Sequence, residues 1–110
     1  MANVYKNAEA IAVGTSFTNV YTVPGGMDSI IIEMLACNLQ NSGIDINVRR
    51  VRADLVTINL LQNVPLPPGS TINVVDSAKI VLTAGESIEV SCSVAAGMDV
   101  HASLVEDVNS

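Results

Sequence analysis

Aromatic residues are scarce in this chain of 110 residues: one Phe, two Tyr and no Trp, 3% in all. The interior must therefore be aliphatic, and a sugar-binding platform of stacked rings is disfavoured. Histidine occurs once and cysteine twice. Cys37 and Cys92 have no CxxC spacing, and with His101 they do not supply the three or four converging ligands that a zinc site takes. Basic residues are also few, five against eleven acidic ones, giving a net charge of −6 and a pI of about 4.3. That balance argues against nucleic acid as a partner, because phosphate binding needs a basic surface. No apolar run approaches the length of a membrane span, and no basic–apolar–cleavage pattern opens the chain. A soluble protein that neither enters a membrane nor leaves by a signal peptide is expected.

Aliphatic residues are plentiful. Apolar types make up 49% of the chain, enough to build one core. Ile, Val and Leu dominate, and they suit a pleated, half-buried surface. The hydrophobic pattern has period two almost throughout. Residues 3–13 alternate weakly. In 17–23, Phe17, Tyr21 and Val23 share one phase, and Pro24-Gly25-Gly26 then ends the run. Residues 29–39 combine the β-branched Ile30–Ile32 triplet with helix-favouring Met34, Leu35 and Ala36; the preceding turn favours a central strand.

Farther along, Ile44, Ile46 and Val48 point one way, and the phase break at Arg49-Arg50-Val51 predicts a bulge there. Ile58, Leu60 and Val64 mark a weaker segment, and Pro65-Leu66-Pro67-Pro68-Gly69 is a stiff boundary. Ile72 and Val74 follow, then the short Lys79–Leu82. The cleanest alternations are 86–94, with Ile88, Val90, Cys92 and Val94 inward, and 98–106, with Val100, Ala102 and Leu104 inward. Ile32, Ile72, Ile88 and Val90 are the expected core, and both thiols are expected buried and free. The fold class is all-β: an antiparallel, jelly-roll-like sandwich of about eight strands. Residues 1–110 form one domain, with 1–14 an arm or an edge strand.

Chemistry is thin. Cys37, His101 and an Asp could in principle form a nucleophilic set, but no local motif supports one. Glu86 with Glu89, and Asp99 with Glu106, are paired carboxylates on turns or outward faces, where solvation explains them. Asp28, Asp45, Asp76 and Asp99 sit near turns without the run of oxygens that a calcium loop uses. Pro24-Gly25-Gly26 has no phosphate-loop layout. No catalytic residue, cofactor or metal is therefore expected. Arg49, Arg50 and Arg52 hold three of the five basic side chains. They read as a solvated strand edge or a salt bridge to a neighbour in preference to an anion site, and they are the candidate partner interface.

Four stretches carry a resemblance: Val20-Tyr21-Thr22-Val23-Pro24-Gly25-Gly26; Val64-Pro65-Leu66-Pro67-Pro68-Gly69-Ser70-Thr71; the run Lys79 to Val90; and the closing run Asp99 to Glu106. Their layout resembles the small β-sandwich structural proteins of tailed bacteriophages. Residues Leu39 to Leu61 depart from it. The resemblance implies a non-enzymatic virion component assembled in the host cytoplasm. Capsid decoration is the first expectation, and a neck or tail accessory position the alternative. Its partner would be the major capsid protein or another virion protein, and it would self-associate, a trimer being favoured. A lectin-like or adhesion module and a small enzyme are the competing classes.

Overall fold

The computed structural model describes residues 4–75 and 79–106. It contains nine strands: β1 (Val4–Val13), β2 (Thr18–Thr22), β3 (Ser29–Asn38), β4 (Ile44–Val51), β5 (Thr57–Leu66), β6 (Thr71–Asn73), β7 (Ile80–Leu82), β8 (Ser87–Cys92) and β9 (Met98–Glu106). The strands form two antiparallel sheets. One has the order β1-β9-β3-β6, with β7 also pairing β3, and the other has the order β2-β8-β4-β5. β6 and β7 lie along the same edge of β3 and act as one interrupted strand, which reconciles nine strands with the eight expected. The pairs β1·β9, β2·β8, β3·β6/β7 and β4·β5 then describe one long hairpin, tipped at residues 52–56 and wound into a roll. That is the winding of a jelly roll.

The two inner faces meet in one aliphatic core. Ile31, Met34, Val100, Ala102 and Leu104 come from the first sheet, and Ile44, Ile46, Val48, Ile88 and Val90 from the second, all at most 2% exposed. The inward phases predicted for 44–48, 88–92 and 100–104 are the observed ones. In each of those stretches the strand runs without an inserted residue against β8, β4 and β3 respectively, so alternation holds.

Elsewhere bulges reset the phase. β3 gains a residue against β9 between Ile31 and Glu33. Ser29 and Ile31 point inward before it, and Met34, Ala36 and Asn38 after it. Ile32 falls in the bulge and is 38% exposed, which corrects its expected place in the core. Ile72 is half-buried at the core's margin. β2 carries an extra residue at Val20, so Val20 and Val23 are buried while Phe17 lies outside. The bulge expected at Arg49-Arg50-Val51 is on the facing strand instead. β4 is unbroken against β8, whereas β5 carries two inserted residues against β4, one beside Asn63 at φ 53°. Asn63 tolerates that left-handed conformation, and its N–H donates to Asn47 Oδ1 at 2.8 Å.

The expected effect of core position is direct. Ile88→Ala should cost about 2–5 kcal/mol of unfolding free energy, since Ile88 is fully enclosed. Ile32→Ala should cost about 1 kcal/mol. Urea denaturation of both variants checks the pair, and a larger loss at Ile32 would contradict the register described here.

Candidate functional site

Outward-facing residues of β1, β9 and β3 line a trough of about 380 Å³ on the outer surface of the first sheet. Cross-strand register explains its make-up. His101 lies opposite both Glu9 and Leu35, and Asp99 lies opposite Cys37, so these side chains share one face. Ile11 and Thr71 complete its walls. The trough thus gathers the residue types that a nucleophilic set would use. It does not join them, because among the described residues no hydrogen bond links Cys37 to His101 or either of them to a carboxylate. The Cys37 thiol has only a long 3.9 Å contact to the Asn38 carbonyl. The Asp99 carboxylate accepts the Ala12 N–H at 2.8 Å and so holds the β1 bulge, where Ala12 adopts φ 53°.

The two thiols differ. Cys92 is buried, its sulfur 3.2 Å from the Val13 carbonyl and 3.1 Å from that of Val94. Cys37 is half-buried, which corrects the expectation that both were buried; both are free. Its neighbours Leu35 and Thr71 only partly cover it.

Alternation separates the arginines. Arg49 faces outward opposite Glu89, with Nη2 at 2.7 Å and Nε at 2.8 Å from its Oε1, and the guanidinium lies 3.7 Å above the Phe17 ring. Arg50 lies opposite Ile88, on the inward side, and Nη1 binds both oxygens of Glu86, at 3.1 and 3.2 Å. Arg52 pairs with exposed Asp54 at 3.0 Å. Arg49 and Arg50 therefore face opposite sides of β4. Asp28, Asp45 and Asp99 lie on separate elements, and Asp76 lies outside the described residues. Among the described residues no group of three His, Cys, Asp or Glu side chains could hold a metal ion.

Sequence reasoning missed a polar node at one end of the roll. The inward phase of β9 runs on from Leu104 to Glu106, which carries a carboxylate into the interior at 6% exposure. Ser29, fully buried, lies opposite Glu106 on β3. From the other sheet the Tyr21 hydroxyl donates to Glu106 Oε2 and receives a bond from Ser29 Oγ at 2.7 Å. Lys6 Nζ reaches Glu106 Oε1 at 3.4 Å. Burial, and then the bond to Glu106, push the Tyr21 phenol up to about 12. Continuing the strict alternation past Leu104 was the available signal. The same end holds the Arg50–Glu86 pair, where Glu86 Oε1 also accepts the Thr83 N–H at 3.0 Å. At the opposite end the buried Asn38 amide donates to the carbonyls of Ser42, Leu66 and Pro67 at 3.0–3.1 Å, tying two connections to β3.

No protein-family model and no curated protein matches this sequence. Among solved structures, a chain of Bacillus endospore appendages, described as a novel family of disulfide-linked pili, shares the architecture. It superposes with a TM-score of 0.53, covering 99% of this chain and 87% of that one, at 10% sequence identity. Identity that low shows a shared fold.

Two outcomes follow from these geometries. Iodoacetamide should modify Cys37 in the native protein and Cys92 only after unfolding, read by peptide mass spectrometry; early labelling of Cys92 would contradict its burial. Tyr21 ionises near 10.0 when unfolded and near 12 when folded. Its contribution is thus complete below pH 10 and is lost as the unfolded chain gives up its proton between the two values. Chemical denaturation should therefore show the parent losing stability over that range more steeply than Tyr21→Phe. Parallel curves would deny the shift.

Proposed function

We propose that this chain is a non-enzymatic structural subunit of a tailed-phage virion, seated on the head surface as a decoration protein. The observation that carries the reading is where the chain places its accessible apolar side chains. Tyr5, Ile11 and Val81 are 77%, 72% and 56% exposed, on strands at the borders of one sheet, and Leu55, at the tip of the β4–β5 hairpin, is 79% exposed. Partner subunits cover such positions in an assembly, and many copies add avidity. The trough supports the non-enzymatic part, since its one carboxylate beside Cys37 is engaged in holding backbone. The strand-and-turn layout from Val20 to Glu106 supports the phage setting. The endospore appendages that share this architecture are described as disulfide-linked pili, which supports an assembly role for this roll. The partner in this reading is the major capsid protein or another virion protein, whose basic surface would complement a net charge of −6.

Quantitative mass spectrometry of separated head and tail fractions from the parent particle tests the proposal. Copies in the hundreds with the head are expected. A few to tens of copies with the tail would move the subunit to the neck or tail, and absence from both fractions would overturn the virion reading.

A further inference from the structure

Open sheet edges invite strand addition, and folded proteins usually blunt them. Three of the four edges here are blunted. β5 carries two inserted residues. The β6/β7 edge is interrupted between Asn73 and Ile80. β2 has five residues with a bulge at Val20. β1 has its bulge only past Ala10, and from Val4 to Ala10 it runs in unbroken register with β9. Among the described residues, the main chain of that stretch pairs with β9 alone. Its outward phase exposes Tyr5 and Ile11.

We infer that the β1 edge is a homodimer interface, in which two copies of this chain pair antiparallel through Val4–Ile11. The choice of a second copy rests on charge and pattern. The chain as a whole is acidic and repels itself, but β1 holds one Lys and one Glu and is neutral. Symmetry then restricts the register. A two-fold axis normal to the sheet keeps every residue on its own face, so facing residues must lie an even number of positions apart. Centring on Ala8 sets Tyr5 of each copy against Ile11 of the other, an aromatic–β-branched pair made twice on the outer face. It sets Lys6 against Ala10 and Asn7 against Glu9. Centring on Asn7 would set Tyr5 against Glu9 and leave Ile11 past the end. The Ala8 register covers both exposed apolar residues, and the first sheets of the two copies become one. The contact closes at two copies, so a trimer would need another surface. The inference is independent of the virion reading, because a dimer of the isolated chain does not depend on where it is seated.

Sedimentation equilibrium of the whole chain in reducing buffer should give twice the 11.5 kDa chain mass. The double variant Tyr5→Lys/Ile11→Lys should fall to the single mass while keeping the parent's far-ultraviolet circular dichroism spectrum, since both side chains are exposed. Val81→Lys, on β7, should leave the dimer intact. Hydrogen exchange on the unmodified chain should show the Val4–Ala10 amides slowing as concentration rises through the dimer transition, and this test stands even where a variant folds poorly. A chain that is monomeric at about 100 μM, a folded double variant that still dimerises, or β1 amides indifferent to concentration would each overturn the inference.

Discussion

Every part of this molecule depends on two pleated sheets turning the same kind of side chain toward each other. With no Trp and three other aromatics, none of them fully buried, the interior is filled by Ile, Val, Leu, Met and Ala. Such a core gains from many modest contacts, and it tolerates few polar intrusions. A strand side chain faces inward only at every second position, so each strand must keep its phase or reset it at a bulge. β4, β8 and the inner half of β9 keep theirs. β1, β2, β3 and β5 reset theirs, and the extra residues add twist where the hairpin winds from one sheet to the other.

The polar interior groups sit at the ends of the roll, where alternation runs past the core. Glu106 and Arg50 are both on inward phases. Each is answered from elsewhere: Glu106 by Tyr21, Ser29 and Lys6, and Arg50 by Glu86. No buried side-chain polar atom among the described residues lacks a partner. Tyr21 crosses from one sheet to the other, so this node fixes how the sheets sit as well as neutralising a buried carboxylate. Asn38 does comparable work at the other end by bonding the carbonyls of two connections. Removing one member leaves its partners buried and unsatisfied, which is why such groups are costly to lose.

The described surface offers partners little assembled chemistry and considerable shape. On the second sheet Arg49 lies between Glu89 and Phe17, and Arg50 is paired with Glu86. Exposed apolar groups lie on the first sheet, at Tyr5 and Ile11 of β1 and Val81 of β7, and at the tip of the β4–β5 hairpin, at Leu55 and Val56. The first sheet also presents the edge of β1.

The sequence by itself determined the all-β class, the turns at Pro24-Gly25-Gly26 and around Pro67-Pro68-Gly69, and the inward faces at Ile44–Val48, Ile88–Cys92 and Val100–Leu104. These follow from local alternation and local turn chemistry, which a short window of residues contains. Ile32 was misplaced because the β3 bulge is defined only against β9, some seventy residues later in the chain. The β5 insertions likewise exist only relative to β4. The Arg49–Glu89 and Glu106–Tyr21 partnerships, and the open edge of β1, were decided by which strands became neighbours. Pairing between distant segments is a property of the wound hairpin as a whole, and no local pattern specifies it.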